Sequence, residues 1–477
     1  MRKEHDFLGE LEIPDNAYYG VQTMRAMENF QITGYTAGPL FIKALGMVKK
    51  AAALANMKIG LLDEKIGEAM VQACDDIISG KLNDQFPTDP IQGGAGTSFN
   101  MNTNEVICNR ALEILGRPRG DYNYISPNNH ANMSQSTNDV IPTSIRVCAL
   151  MRAEQLIIAL ENLADSFDKK GEEFKDVLKI GRTHLQDAVP ITLGLEFKAF
   201  ASSMRRRSNY IRRSCELLHT MNMGATAVGT GLNADPEYIK EVCEQLTLVT
   251  GESFTTADNL VDATSNTDIF TDLSSSLKTS ALSLIKISND LRLMASGPRA
   301  GFCEITLPPR QPGSSIMPGK VNPVIPEVVD QTCYQVIAND LAVAFGVENG
   351  QFQLNVMEPV MAYNIFNSLR FLTNAVNTLR TRCVDGIKAN RAQCAEWLDK
   401  SVGIVTALLP HIGYETCSVL AKEALATNRN IKDLLIERKV LSKEDLDVIL
   451  APAEMTRPGI AGKELLKKIH ESREELV

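Results

Sequence analysis

Two long stripes of apolar residues constrain the fold of this 477-residue chain more than any other feature of its sequence. In each stripe, apolar side chains recur mostly every three or four residues, which places them along one side of an α-helix. Several stripes of this length within one chain predict a bundle of long helices. The first stripe comprises Ile145, Ala149, Ala153, Leu156, Leu160, Leu163, Phe167 and Phe174, and the second comprises Leu273, Leu277, Ala281, Leu284, Leu291 and Ala295.

Other positions help to define these helices and their surroundings. Pro142 lies near the start of the first predicted helix, where its missing N–H costs little. A further long helix is expected after Pro326. Alanines on the stripes allow helices to approach closely and leave surface that other subunits could cover. We therefore expect an oligomer.

Residues 297–326 interrupt the helical pattern with seven prolines and four glycines. Proline breaks helices, so this segment is predicted to be irregular. A long irregular segment inside a compact protein is usually functional or disordered. The polar residues Ser314, Ser315, Lys320 and Asn322 favour function, and they make 313–322 a candidate catalytic loop.

Two further segments could carry chemistry. Ser136, Thr137 and Asn138 precede the first long helix, where such residues either only cap the helix or, with its free N–H groups, hold an anion. The segment 181–187 contains Thr183 and His184 among other hydrogen-bonding side chains, and His184 is one of only six histidines. A lone histidine is more often structural than catalytic, so both interpretations stay open at this point.

Composition excludes several classes of function. The formal net charge of −9 disfavours a nucleic-acid partner, and no stretch approaches the roughly 18 apolar residues that span a membrane, so a cytoplasmic protein is expected. The ten cysteines are scattered without a CxxC pair, which predicts reduced thiols and no metal site. The glycines match neither the GxGxxG pattern nor a P-loop, so nucleotide binding is not expected. There is no GxSxG motif, so a hydrolase with a nucleophile elbow has little support.

At these segments the sequence resembles the aspartase/fumarase superfamily. The resemblance is carried by GSSIMPGKVNP, GGAGTSFNMNTNE, SQSTND, GRTHLQDAVP, GATAVGTGLN, QLNVMEPV and SVGIVTALLPHIGYE, and so runs nearly end to end. It implies a mainly α fold of three domains, in which long-helix bundles form a tetrameric helical core. The domains would be an α-rich N-terminal domain at 1–137, a central bundle with the 313–322 loop at 138–394, and a small α C-terminal domain at 395–477.

Three short segments are more similar to the ammonia-lyase branch of this superfamily than to class II fumarases. These are 94–98, 136–138 and 355–360; fumarases typically have GSGTQ and SSN in place of the first two. The expected activity is therefore elimination of ammonia from L-aspartate to give fumarate, without a cofactor. The alternatives are class II fumarase activity and, from a different class, a non-catalytic helical assembly.

The resemblance also implies roles for individual residues and a site shared by three subunits of a homotetramer. Ser314 would be the general base, with Lys320 helping to lower its pKa. Thr97, Ser136, Thr137 and Ser315 would hold the β-carboxylate, Lys320 and Asn322 the α-carboxylate, and Asn138, Thr183 and His184 the amino group, with Glu327 orienting His184. L-Aspartate, fumarate and ammonium would be the small-molecule partners.

Overall fold

The computed structural model describes residues 1–474 and is mainly helical, as the apolar stripes predict. Its helices are α1 (Val21–Asn29), α2 (Pro39–Lys58), α3 (Glu64–Ile78), α4 (Thr97–Ile114), α5 (Thr137–Glu173), α6 (Leu193–Glu216), α7 (Pro236–Thr250), α8 (Leu260–Ser265), α9 (Asp268–Met294), α10 (Val324–Glu348), α11 (Glu358–Arg382), α12 (Arg391–Lys400), α13 (Leu409–Ile412), α14 (Tyr414–Thr427), α15 (Ile431–Glu437), α16 (Lys443–Ile449), α17 (Pro452–Met455) and α18 (Leu466–Glu474). No helix in residues 1–474 has the length and apolar character needed to cross a bilayer.

The strands are short and form four two-stranded sheets. The sheets β1–β2, β3–β4 and β7–β8 are antiparallel, and β5–β6 is parallel. The sequence pattern does not predict them; four of the strands have only two residues, too few for the apolar–polar alternation of a strand to appear. The strands are β1 (Arg2–Asp6), β2 (Gly9–Ile13), β3 (Leu178–Thr183), β4 (Gln186–Thr192), β5 (Thr220–Met221), β6 (Thr255–Thr256), β7 (Ile305–Thr306) and β8 (Lys388–Ala389).

Both apolar stripes form buried helix faces, which confirms the long helices. The first stripe lies on α5 and the second on α9, and the stripe residues within these helices are almost fully buried. Only Phe174 and Ala295 fall just beyond a helix end. The third predicted helix, α10, begins at Val324, so Pro326 lies in its first turn instead of preceding it. From 297 to 323 the chain is irregular apart from β7.

The chain divides into two compact units, each built from separate stretches of sequence. Unit one comprises residues 1–159, 207–282 and 332–374, and within it α2 packs against α3 and α7. Unit two comprises residues 160–206, 283–331 and the chain from Ala375 onward. The predicted division into domains at 1–137, 138–394 and 395–477 stays a prediction.

Within unit two, the C-terminal helices surround an apolar core that also anchors the β3–β4 hairpin. Ile180 of β3 is buried in the same cluster as Leu398, Leu408 and Leu435. Strand β3 packs against α12, and β4 packs against the 3-10 helical segment Val402–Leu408. The hairpin that carries Thr183 and His184 is therefore fixed at its base by the C-terminal part of the chain.

Candidate functional site

The start of α4 places Thr97 at the surface of unit one. Gly96 precedes the helix with a φ of +85°, a left-handed conformation that glycine adopts without strain. A Cβ at Gly96 would lie 2.9 Å from Cγ2 of Ile141, so the glycine also allows α4 to begin close to α5. The hydroxyl of Thr97 donates a hydrogen bond to the carbonyl of Gly94 at 2.7 Å. Thr97 itself is exposed.

The start of α5 places Ser136 and Thr137 beside the start of α4. The hydroxyl of Ser136 accepts a hydrogen bond from the backbone N–H of Asn138 at 3.2 Å, so Ser136 caps the helix. The side-chain amide of Asn100 in α4 donates to the hydroxyl of Thr137 at 3.1 Å. The structure thus brings together two helix N-termini, whose free N–H groups favour bound anions. That the serine also binds an anion stays a prediction.

Asp139, in the first turn of α5, is a fully buried carboxylate that holds this region together. Its Oδ1 accepts from the backbone N–H of Ser136 at 3.0 Å. Its Oδ2 accepts from the N–H groups of Gly224 at 3.2 Å and Thr226 at 3.1 Å. Burial raises the pKa of Asp139 to about 7, although these hydrogen bonds and the nearby Lys49 oppose the shift.

Asn138 and Lys49 complete the polar surroundings of Asp139. The Asn138 amide donates to the carbonyl of Ala227 at 2.7 Å, which ties α5 a second time to the 224–233 segment. Lys49 is buried, and its Nζ donates to Gln135 at 2.8 Å. Burial lowers the pKa of Lys49 to about 7, against the pull of Asp139. The sequence did not single out Lys49, because a lysine in α2 has no motif that distinguishes it from a surface lysine.

The β3–β4 hairpin displays His184 at its turn. His184 and Leu185 form the two-residue turn, and both have positive φ values, 55° and 61°. Two successive left-handed residues match a type I′ turn, which suits the twist of a hairpin but usually requires asparagine or glycine. Thr183, His184 and Leu185 are all exposed. The turn therefore presents the histidine to solvent in a strained backbone.

A buried ionic cluster supports the hairpin from within unit two. Glu304 is fully buried and lies 2.6 Å from both Nζ of Lys179 and Nη1 of Arg182, each on β3. Lys179 also pairs with Glu196 at 2.9 Å. Burial lowers the pKa of Lys179, but Glu196 and Glu304 outweigh it and the net change is upward. The sequence missed this cluster because Glu304 lies more than a hundred positions from the three residues of the 179–196 segment with which it clusters.

The 313–322 loop is closed by backbone and side-chain hydrogen bonds. The N–H of Gly313 donates to the carbonyl of Lys320 at 2.6 Å, and the amide of Asn322 donates to the carbonyl of Gly313 at 2.8 Å. A Cβ at Gly313 would lie 2.7 Å from the Lys320 carbonyl oxygen, so only glycine fits there without a shift. Lys320 and Ser315 are exposed.

Within this loop, backbone N–H groups contact the hydroxyl oxygen of Ser314. Its hydroxyl oxygen accepts hydrogen bonds from two backbone N–H groups, those of Ile316 at 3.2 Å and Met317 at 3.0 Å. Two N–H groups aimed at one oxygen stabilise negative charge on it. These two donors would also stabilise the alkoxide form of Ser314, but that Ser314 acts as the general base stays a prediction.

Glu327 lies in the first turn of α10, where its carboxylate accepts from the amide of Gln331 at 3.4 Å. No hydrogen bond joins it to His184 within residues 1–474, and none joins the hairpin turn to the 313–322 loop there. The resemblance places these groups in different subunits, so Glu327 as an orienting residue stays a prediction. In the same stretch of chain, no group of three or more His, Cys, Asp or Glu side chains could hold a metal ion.

Known proteins are similar to this chain in both sequence and fold. A family model described as "Lyase" matches residues 9–338, and one described as "Fumarase C C-terminus" matches 404–457. An aspartate ammonia-lyase of a Bacillus species is 57% identical, covering 97% of this chain and 99% of that protein. One from Bacillus subtilis is 55% identical with 98% coverage of each, and one from Helicobacter pylori is 51% identical with coverages of 96% and 98%.

Two solved structures show the same fold. The cobalt-bound fumarate lyase:delta crystallin of Brucella melitensis aligns with a TM-score of 0.94 and 50% identity, covering 96% of this chain and all of that one. The class II fumarase of Schistosoma mansoni aligns with a TM-score of 0.91 and 35% identity, covering 96% and 99%. The architecture is thus common to proteins that bear both names.

Proposed function

This chain belongs to the aspartase/fumarase family of lyases, and on that premise we propose that it eliminates ammonia reversibly from L-aspartate to give fumarate. The observation that carries the proposal is identity of 51–57% with aspartate ammonia-lyases over nearly the full length of both chains. The class II fumarase of Schistosoma mansoni is 35% identical, although its fold is almost the same. Sequence identity therefore favours the ammonia-lyase activity over fumarase activity, whereas the fold is common to both.

Proton removal from Cβ is the difficult step in this reaction. The carbon acid is weak, so the developing charge must spread into the adjacent β-carboxylate as an aci-carboxylate. We propose Ser314 as the base. The N–H groups of Ile316 and Met317 point at its oxygen and lower the cost of its alkoxide, and Lys320 of the same loop adds a positive charge.

The β-carboxylate would bind where α4 and α5 begin, with Thr97, Ser136 and Thr137 as donors and Ser315 completing the set. Because the two helix N-termini converge there, their dipoles favour the extra charge of the aci-carboxylate. The hydroxyl of Thr97 now donates to Gly94, so it would have to exchange this partner for the substrate. Preorganised donors of this kind contribute about 3 kcal/mol each.

The α-carboxylate would bind Lys320 and Asn322, and the amino group would lie among Asn138, Thr183 and His184. Glu327 would orient His184 from another subunit. We further propose a homotetramer whose sites each use three subunits, located in the cytoplasm and working without cofactor, membrane or nucleic acid. The absence of any hydrogen bond between hairpin turn and catalytic loop within residues 1–474 supports a site completed by other copies.

Fumarate absorbance with purified protein tests the activity. L-Aspartate as sole substrate is expected to give fumarate at many times the rate of L-malate. Fumarate from malate alone would instead identify a class II fumarase.

Ser314→Ala tests the base. The variant is expected to lose at least about a hundredfold in kcat while keeping its helical content and oligomeric state. Ser202→Ala, at an exposed serine of α6 whose hydroxyl donates to the carbonyl of Lys198, is the matched control. Equal turnover in both variants would remove Ser314 from the mechanism.

A further inference from the structure

Unit one contains a cavity of about 390 Å³ that the proposed reaction does not use. This volume is in the range typical of small-molecule sites. Aromatic rings form part of its lining: Phe41 contacts Phe99 edge-on, with ring centroids 5.2 Å apart, and Phe366 at 5.3 Å. Tyr35, Tyr363 and Phe371 also line it. The cavity therefore offers flat apolar surface to a ligand.

Two arginines give this aromatic cavity a positive charge. Arg152 and Arg370 both line it, and no acidic residue does. The Nε–H of Arg152 is buried without a hydrogen-bond partner in the described chain, and its guanidinium lies 5.7 Å from the ring centre of Phe366. Arg370 donates to the side chain of Asn367 at 2.9 Å and is exposed. Neither guanidinium forms an ion pair with a carboxylate in residues 1–474.

The acid next to the cavity in sequence does not neutralise these charges. Glu358 precedes the lining residue Pro359, but it is fully buried and its charge partner is Arg146. Two arginines thus place positive charge beside the cavity that no lining carboxylate offsets. A guanidinium without a carboxylate partner can form charge-assisted hydrogen bonds with an anionic ligand.

The cavity is separate from the residues proposed to bind substrate. Thr97 lines a different cavity, together with Arg25 and Asp6, and Ser136, Thr137 and Asn138 line neither. Residues of α4 line both cavities, because Phe99 of one cavity follows Thr97 of the other by two positions on this helix. A dicarboxylate such as fumarate would gain little from the aromatic rings, so the ligand should be of another class.

We propose that this cavity binds a small monocarboxylate with an aromatic or comparably apolar body. The carboxylate lies against Arg152, with Arg370 at the rim, and the body packs against the aromatic wall that includes Phe41, Phe99 and Phe366. A charge-assisted contact with a planar guanidinium explains the preference for carboxylate, and the rings explain the preference for an apolar body.

Isothermal titration calorimetry with 3-phenylpropionate tests this proposal, with excess fumarate present to occupy the substrate site. Saturable binding of one molecule per chain is expected. The neutral 3-phenylpropionamide and acetate should each bind at least about tenfold more weakly, since each lacks one of the two recognised parts. Absence of saturation below about 10 mM, equal binding of the amide, or displacement by fumarate would each overturn the proposal.

Substitutions of the two cavity arginines test where the ligand binds. Arg152→Gln and Arg370→Gln should each weaken 3-phenylpropionate about tenfold or more, and Arg370 is exposed, so its variant is expected to fold. Arg207→Gln is the matched control, because Arg207 also lies over an aromatic ring, that of Tyr210 at 4.9 Å, but outside the cavity. Unchanged affinity in both cavity variants would overturn the assignment.

Discussion

Replacement of Asp139 by alanine tests whether one buried carboxylate organises the start of α5. It would leave three backbone N–H groups, those of Ser136, Gly224 and Thr226, without their acceptor. A buried donor without a partner costs about 1–3 kcal/mol. At the low end of this range, the three unpaired N–H groups together cost about 3 kcal/mol. This cost raises the equilibrium constant for local opening roughly a hundredfold.

Hydrogen–deuterium exchange measures this opening directly. In Asp139→Ala, peptides covering 134–140 and 222–228 are expected to exchange about a hundredfold faster, and kcat/KM should fall with them because Ser136 and Thr137 lose their fixed position. Asp139→Asn keeps one acceptor oxygen, so its exchange rates should lie between those of the wild type and those of Asp139→Ala. Asp165→Ala, at an exposed aspartate of the same helix, is the control. Protection within twofold of wild type in Asp139→Ala would refute the reasoning.

Three further perturbations follow from the structure. Burial would raise the pKa of Glu113, but hydrogen bonds from Tyr18 and two arginines bring it down to about 2 from 4.5. The contribution of ionised Glu113 to the free energy of unfolding is thus present above about pH 4.5 and lost as pH falls through about 2. Solvent exposure limits this contribution to about 1 kcal/mol. Glu113→Gln should remove this pH dependence from the free energy of unfolding measured by urea titration. Leu185→Gly should raise the melting temperature, by relieving about 1 kcal/mol of left-handed strain at an exposed residue; an unchanged or lower value would contradict this. Gly313→Ala should reduce kcat about a hundredfold with unchanged circular dichroism, because a Cβ would lie 2.7 Å from the Lys320 carbonyl oxygen; full activity would show that the loop tolerates the shift.

The long helices could be predicted from sequence because each repeats its apolar spacing over many turns. The stripe from Ile145 to Phe167 became a buried face of α5 without exception. Short strands gave no such repetition: only the adjoining ends of β3 and β4 lie within GRTHLQDAVP, whose polar residues suggested only a cluster of side chains. The positive φ of His184 and Leu185 was equally invisible, since neither residue is typical of a type I′ turn.

The site was predictable where a motif is continuous and not where it is assembled by folding. GSSIMPGKVNP drew attention to Ser314, and the structure added the two N–H groups that its oxygen accepts. Asp139 appeared in the sequence only as the last residue of the motif SQSTND. Its contacts with Gly224 and Thr226 join residues some 85 positions apart, and Lys49 has no neighbouring motif at all. Contacts of that range depend on how helices pack.

The two-residue turn between β3 and β4 also limits how the length of this chain can vary. A turn of two residues has no slack, and the pairing of Thr183 with Gln186 begins immediately beside it. A one-residue shift of β3 relative to the C-terminal core would turn its side chains to the opposite face, so Ile180 would leave the apolar cluster. A residue inserted at this tip must therefore be taken up within the turn itself if the strands are to keep their pairing, and it would change the position of His184 relative to them.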